Sequence, residues 1–207
     1  MPTKTKAKNV TPAGKALWPR LNSPSTKFDE DGVYETQLIL SPEDAADLIE
    51  RCDTEAEEGW KKAIEDESKP AKKAALKKYN YNPPYKDDVD SEGNETGNVV
   101  FKFKTKAVNK DGSSKKIPLV DARKNAVTDI VGGGSTIKVA FASRPYQMPS
   151  SKTYGLTLYL NAVQVLDLVA PGGGGVDAFD EEDGYEAPES SGADEFTDET
   201  DSSNGDF

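Results

Sequence analysis

A row of lysines, each separated from the next by one residue, is the first feature of this sequence that could do chemistry. In the stretch VVFKFKTKAV, Lys102, Lys104 and Lys106 alternate with Phe103 and Thr105. Successive side chains of a β-strand point to opposite faces, so the lysines share one face at intervals of about 7 Å. Phosphates along a nucleic-acid strand repeat on a similar scale. The row therefore predicts a polyanion-binding face, and the alternative is the solvated outer face of an amphipathic strand.

Further cations and aromatic residues follow in later strands and in a loop. In STIKVAFASRPY, Lys138 and Arg144 lie on the face opposite to the apolar residues. The stretch SRPYQMPSSKTYG, which we expect to be a loop, adds Tyr146 and Lys152. Cations that hold a backbone, together with rings that stack on unpaired bases, are typical of single-stranded nucleic-acid binding. Tyr146 could instead cap the end of a barrel, and Tyr159, opposite the leucines of TYGLTLYL, could lie in a groove or on a plain surface.

Composition argues against the common kinds of catalytic site. The chain has no histidine, which removes the usual general base and the usual zinc ligand. The glycines of VGGGS (Val131–Ser135) lack the following Gly-Lys-Ser/Thr of a phosphate loop and predict a turn between strands. The carboxylates of Asp87–Asp90 lack calcium-loop spacing and predict a solvated loop. We therefore expect that the protein is not an enzyme and that it binds no cofactor or metal. The alternative is a metal-dependent nuclease that uses Asp87–Asp90.

The elements that must position these residues are mostly strands. GKALWPRLNSPS contains two prolines and predicts an edge strand. A helical insert over about 42–80 is predicted, with Ser41 as N-cap and Pro42 in the first turn. The following YNYNPPYKDDVDSEGNETGN is rich in turn formers and predicts a loop. Strands on both sides of the insert predict a mainly β fold, a small closed barrel with an inserted helix.

Charge is segregated along the chain. The net charge is −11, yet residues 99–170 carry 11 bases and 4 acids, whereas residues 172–207 carry 13 acids and no base. Gly172–Gly175 predict a flexible hinge, and the acidic remainder, poor in apolar residues, predicts disorder. We therefore divide the chain into one domain, 1–170, and a disordered acidic tail, 171–207. Such a tail can compete with a polyanion for the basic surface.

Several features of the sequence indicate the cellular compartment of the protein. No run of 18 apolar residues exists, so we expect no transmembrane helix. The basic start MPTKTKAKNV is followed by no apolar stretch and does not predict a secretory signal. The single Cys52 cannot form an internal disulfide and indicates a reducing, cytosol-like compartment.

The order of several short motifs resembles a known family. These are FKFK (Phe101–Lys104), IVGGGSTIKVAFASRPY (Ile130–Tyr146), LYLNAVQVLDL (Leu158–Leu168), and GGGG with an acidic tail ending in DF. Together they resemble the replicative single-stranded DNA-binding proteins of short-tailed bacteriophages. The resemblance implies an oligonucleotide/oligosaccharide-binding (OB) fold carrying a helix. It also implies DNA contacts at Lys104 and Tyr146.

The resemblance further implies partners. It implies a homodimer in the cytoplasm of an infected bacterial host, and roles in DNA replication, recombination and repair. It also implies that the tail, through Asp206 and Phe207, binds the phage DNA polymerase and the helicase/primase. An acidic-tailed chaperone or scaffold for basic proteins is the alternative from another class. The predicted DNA-binding residues are Lys102, Lys104, Lys106, Lys138, Arg144, Tyr146, Lys152 and Tyr159.

Overall fold

The computed structural model describes residues 9–27 and 29–171. The predicted hinge and acidic tail therefore lie outside the described residues, apart from Pro171. The strands are β1 (Gly14–Ser25), β2 (Val33–Leu40), β3 (Asn80–Asn82), β4 (Tyr85–Val89), β5 (Glu95–Lys106), β6 (Leu119–Val120), β7 (Thr136–Met148) and β8 (Thr153–Asp167). The helices are α1 (Pro42–Asp66) and α2 (Pro70–Leu76). Within residues 9–27 and 29–171, neither α1 nor α2 could cross a membrane.

Five of the strands close into a ring. They follow one another as β8, β7, β1, β2 and β5, and β5 returns to β8 through parallel pairing of Phe103 with Leu158 and Lys104 with Tyr159. Strands β3 and β6 add to β8, and β4 adds to β5. The mainly β class with a helical insert is confirmed, and the ring corresponds to the predicted small closed barrel.

The core lies inside this ring and follows from alternation along the strands. On β5, Phe101 and Phe103 are fully buried, while the lysines between and beyond them are exposed. A buried side chain of this size contributes about 1.5–3 kcal/mol. On β8, one extra residue, Asn161, interrupts the register with β7. This bulge changes which residues face inward, so that Leu160 before it and Val163 after it are both buried.

Helix α1 begins where the sequence predicts and packs against β7 and β8. The Ser41 hydroxyl caps it by accepting a hydrogen bond from the Asp44 amide at 3.2 Å, and a proline occupies the first turn. Its apolar stripe buries Leu48 and Cys52. Gly59 lies directly against the ring of Pro145 on β7, where any Cβ would collide with that ring. The glycine therefore lets the helix approach the sheet closely.

Two predicted loops are largely strands. The stretch after the helical insert holds β3, β4 and the start of β5, and only residues 90–94 form a turn, in which Asp90 accepts from the amides of Glu92 and Asn94. The stretch SRPYQMPSSKTYG continues β7 through Met148, with a turn over 149–152. Pro145 is tolerated there because β1 pairs with β7 only at Thr136 and Ile137, which leaves that edge free.

The first strand also differs from its prediction as an edge strand. Its first residues lie between two neighbours, because Gly14 and Lys15 pair with β7 while the strand pairs with β2 along its length. Ala16 still exchanges backbone hydrogen bonds with Gly134 and Ser135. Beyond Ala16, this edge of β1 has no backbone partner among the described residues, and Pro19 and Pro24 stand there. The two prolines therefore predicted the free edge correctly but not the pairing at the start of the strand.

Candidate nucleic-acid interface

An open cleft with a volume of about 810 Å³ lies on the outer face of the ring. It is bounded by β2, β4, β5, β7 and β8 and by the short connection between β3 and β4. Its lining consists of Gln37, Asn82, Pro83, Pro84, Tyr85, Lys86, Val100, Lys102, Lys104, Tyr146, Gln147, Met148, Leu156, Thr157 and Leu158. Three of the predicted residues, Lys102, Lys104 and Tyr146, therefore meet in one place.

The cationic side of the cleft comes from two neighbouring strands. Lys102 and Lys104 project from β5, and the Lys102 ammonium lies 3.3 Å from the Glu35 carboxylate on β2. The Lys104 ammonium makes no hydrogen bond or ion pair with the described part of the chain. Lys86 on β4 pairs opposite Val100 of β5, which puts it on the same outer face. The prediction missed Lys86 because β4 was interpreted as a loop.

The third lysine of the row is engaged elsewhere. The Lys106 ammonium lies 3.1 Å from the Asp29 carboxylate and 3.2 Å from that of Asp31, both in the connection between β1 and β2. Hydrogen bonds to Asp29 and then to Asp31 raise the pKa of Lys106 above its usual value. The ammonium is therefore charged but already neutralised. Lys106 is absent from the cleft lining, so the sequence spacing alone overstates the length of the free cationic row.

Tyr146 is held in place on the opposite side of the cleft. It pairs with Gly155 of β8, and a Cβ at Gly155 would lie 2.9 Å from the Tyr146 hydroxyl and 3.1 Å from its ring. The absence of that Cβ lets the ring pack directly over the β8 backbone. The side-chain amide of Asn82 on β3 donates a hydrogen bond to the Tyr146 hydroxyl at 2.7 Å. These contacts fix the direction of a half-buried ring.

The rim of the cleft is anchored to helix α1 through one carboxylate. The Tyr81 hydroxyl donates to Asp53 at 2.7 Å, and the Tyr85 hydroxyl donates to the same carboxylate at 2.9 Å. Burial, followed by these hydrogen bonds, raises the pKa of both phenols well above their usual value, so both remain donors. The two tyrosines flank Pro83 and Pro84, which line the cleft.

A stack of three rings supports the same segment. Tyr154 of β8 lies between Trp60 of α1 and Tyr81 of β3, with ring centroids 4.6 Å and 5.4 Å apart. The Trp60 indole donates to the carbonyl of Leu76 at the end of α2. The helical insert therefore positions the rim. No signal in the sequence indicated this stack.

Two more predicted residues extend the outer face next to the cleft. Arg144 pairs opposite Thr157, and Tyr159 lies between Ala142 of β7 and Lys104 of β5 in the register of the sheet. Paired residues share a face, so Arg144 and Tyr159 stand on the same side as the lysines. Both are exposed. They can contact a strand that continues beyond the cleft.

The remaining predicted residues lie apart from the cleft. Lys138 precedes Arg144 by six residues on β7, a distance of about 20 Å along the strand. It pairs with Gln164, whose amide donates to the carbonyls of Asp121 and Ala122. Lys152 occupies the turn after β7 with a positive φ of 53°.

Two of the carboxylates considered for a nuclease form hydrogen bonds within their own segment, and the predicted partner-binding residues lie outside the described residues. Asp90, in the acidic stretch considered for a nuclease, accepts hydrogen bonds from Asn94 that lower its pKa. Asp88 accepts a hydrogen bond from Thr96 at 2.7 Å. No group of three or more His, Cys, Asp or Glu that could hold a metal ion occurs among residues 9–27 and 29–171. Asp206 and Phe207 lie outside the described residues.

This geometry has a clear chemical use. Lys86, Lys102 and Lys104 can hold phosphates, while the fixed ring of Tyr146 offers a face to an unpaired base on the other side of the cleft. A base inside a duplex stacks on its neighbours and cannot reach such a ring. The arrangement is therefore suited to a single strand.

Comparison with known proteins agrees with this geometry. The family model described as single-stranded DNA-binding protein, bacteriophage T7, matches residues 18–168. A single-stranded DNA-binding protein of Escherichia phage T7 is 32% identical over an alignment of 185 residues that covers 81% of this chain and 77% of the relative. The single-stranded DNA-binding protein of Enterobacteria phage T3 is 31% identical over an alignment of 180 residues that covers 77% of this chain and 73% of the relative.

Solved structures show the same likeness. The crystal structure of gp2.5, a single-stranded DNA-binding protein encoded by bacteriophage T7, matches with a TM-score of 0.65 and 25% identity, covering 88% of this chain and 100% of that one. The single-stranded DNA-binding protein of bacteriophage Enc34, solved in complex with ssDNA, shares the fold at a TM-score of 0.54 and 15% identity, covering 82% and 96%. From its sequence and its fold, the chain belongs to the single-stranded DNA-binding protein family of bacteriophage T7.

Proposed function

We propose that this protein binds single-stranded DNA in the outer cleft and coats it during phage DNA replication and recombination, without acting as an enzyme. The observation that carries the proposal is the meeting of Lys102, Lys104 and the fixed ring of Tyr146 in one open cleft. Membership of a family whose members are named for single-stranded DNA binding supports it.

The cleft contacts the backbone and the bases by different means. The ammonium of Lys104, which has no partner in the described chain, is available to a phosphate without breaking an existing ion pair. Lys102 must share its charge with Glu35, so its contribution is smaller. Tyr146 stacks on a base, and stacking accepts any base because each has a π-face. Binding is therefore weakly dependent on sequence and sensitive to salt.

A binding competition tests this function. The protein is titrated into labelled oligothymidine, and unlabelled oligothymidine or a duplex of matched length is added as competitor. We expect the single strand to displace the label at far lower concentration than the duplex. Equal displacement by both would contradict the proposal. Binding to a basic protein with no binding to either DNA would favour the chaperone or scaffold alternative, and cleavage of labelled DNA in Mg²⁺ would favour the nuclease.

The acidic segment after Pro171 has a proposed role of its own. It carries no base and 13 acids, so it can compete with DNA for the lysines of the cleft. Its last residues, Asp206 and Phe207, offer a carboxylate and a ring to a partner's pocket. We propose that they recruit the phage DNA polymerase and the helicase/primase, that the protein acts as a homodimer, and that it works in the cytoplasm of the infected host.

Two deletions separate these roles. Removing residues 176–207 should tighten DNA binding, most strongly at low salt, because the competing charge is lost. Removing Phe207 alone should leave DNA affinity nearly unchanged, since every acid remains, but should weaken capture of the polymerase. DNA titration and polymerase pull-down on the same two variants measure both effects. If loss of Phe207 tightens DNA binding as much as loss of the whole segment, the ring is the competitor and the electrostatic account is wrong.

A further inference from the structure

The most exposed large aromatic side chain of the described chain lies outside the cleft. Trp18 on β1 is 73% exposed, and its backbone has a φ of 51°. L-residues rarely adopt this left-handed conformation, and for a bulky residue it is strained. The indole makes no ring stack or hydrogen bond with the described part of the chain. Nothing in the described fold therefore explains why this position carries a tryptophan.

The register of β1 shows how the ring comes to be exposed. Leu17 pairs with Gln37 and Arg20 pairs with Glu35, so two residues of β1 stand opposite the single Thr36. Thr36 is buried and faces the core. In a regular pairing one residue opposite Thr36 would also face inward. The extra residue and the positive φ instead turn Trp18 out to solvent.

The bulge lies on the same outer face as the cleft. Gln37 of β2 pairs with Lys102 and Glu35 pairs with Lys104, so β1 stands two strands away from the lysines. At about 4.8 Å per strand, the bulge is about 10 Å from the lysine row. The negative charge of Glu35, which lies on this path, is neutralised by the ion pair with Lys102.

A cation accompanies the ring. Arg20, two residues after Trp18, is exposed, and its guanidinium makes no hydrogen bond or ion pair with the described part of the chain. An unpaired guanidinium beside an exposed indole repeats the combination of Lys104 and Tyr146 in the cleft. Cations that hold the backbone and rings that stack on bases are the elements of single-strand binding.

We propose that Trp18 and Arg20 form a second stacking platform for the same DNA strand, after it leaves the cleft and crosses β5 and β2. The inference rests on the proposed function and deepens it. The strand runs from Tyr146 over the lysines to Trp18, a path of four strand spacings, about 19 Å. The platform adds affinity only for a strand long enough to cover this path.

The first experiment compares an oligothymidine of about 3 nucleotides, whose two steps of about 7 Å fall short of the path of about 19 Å, with one of about 16 nucleotides, the upper length that one OB domain binds. Trp18→Gly suits this test because glycine adopts a positive φ without strain, so the melting temperature should not fall. We expect the variant to bind the long strand at least about fivefold more weakly and the short strand as the wild type does. Trp18→Phe keeps a ring and should retain most of the affinity. Tyr146→Ala, the control, should weaken binding of both lengths.

Tryptophan emission gives a second readout. The chain has two tryptophans, and the other, Trp60, is stacked in the fold. Binding of the long strand should quench the tryptophan emission of the wild type and leave the emission of Trp18→Phe nearly unchanged. If Trp18→Gly binds the long strand with the affinity of the wild type, the inference is overturned while the proposed function stands. The same holds if the substitution changes the oligomeric state without changing the affinity. If the wild type binds neither length, the proposed function fails as well.

Discussion

The carboxylate of Asp53 fixes the rim of the cleft, and its neutralisation should have a measurable effect on stability. It accepts the hydroxyls of Tyr81 at 2.7 Å and Tyr85 at 2.9 Å. Asp53→Asn keeps the shape and one acceptor oxygen but removes the charge. Charge-assisted hydrogen bonds are about twice as strong as neutral ones, and each contributes about 1.5–3 kcal/mol. Halving two of them predicts a loss of about 1.5–3 kcal/mol in the free energy of unfolding.

The same substitution should weaken DNA binding, although Asp53 itself does not line the cleft. Tyr81 and Tyr85 hold the segment that carries Asn82, and Asn82 orients the hydroxyl of Tyr146. With that segment less fixed, part of the binding energy must be spent on ordering it. We expect an affinity loss of about three- to tenfold, or about 0.7–1.4 kcal/mol. Urea unfolding and fluorescence titration with oligothymidine measure the two effects.

Asp47→Asn is the matched control, because Asp47 is an exposed acid on the same helix with no hydrogen bond or ion pair to the described part of the chain. It removes the same charge without touching the rim. Loss of an acid near a cationic surface should by itself tighten DNA binding slightly. If Asp53→Asn loses stability but binds DNA as tightly as Asp47→Asn does, the rim plays no part in binding and the reasoning is refuted.

Three further predictions concern the interface and the core. Tyr146→Ala should weaken single-strand binding by about 1–3 kcal/mol, and Tyr146→Phe much less; titration beside thermal melting checks this. Lys104→Ala should reduce the slope of log affinity against log salt by about 0.7, whereas Lys106→Ala should leave it nearly unchanged, because that ammonium is already paired. Burial raises the pKa of Cys52 from 9.0 to about 12, so the unfolded thiol ionises first as pH rises. Stability should then fall by up to about 1.4 kcal/mol per pH unit above pH 9, and urea unfolding of Cys52→Ala should lack that part of the slope.

The β elements that carry a clear two-residue alternation were predictable from sequence. FKFK specified which side chains of β5 enter the core, and Ser41 with Pro42 specified the start of α1. The same alternation placed Lys102 and Lys104 on one outer face. These predictions depend only on residues that are close together in the chain, so they can be made without knowing which distant segments are in contact.

The parts that sequence reasoning missed depend on contacts between distant segments. Strand β4 looked like a loop because Pro83 and Pro84 precede it and a turn follows it. Pairing with β5 and the hydrogen bonds to Asp53 make it a strand. Lys106 looked free because Asp29 and Asp31 lie far away in the chain. The exposure of Trp18 follows from a bulge whose position only the pairing with β2 reveals.

Cross-linking of a bound strand tests the central claim most directly. Photoreactive oligothymidine is bound to the full chain at low salt and irradiated, and the cross-linked residues are identified by mass spectrometry. The structure predicts cross-links at Tyr146 and on the neighbouring outer face, reduced in Lys104→Ala and abolished by excess unlabelled single strand but not by duplex. Cross-links confined to the region of Lys138 and Gln164, with Tyr146 unmodified, would contradict the assignment of the cleft as the DNA-binding site.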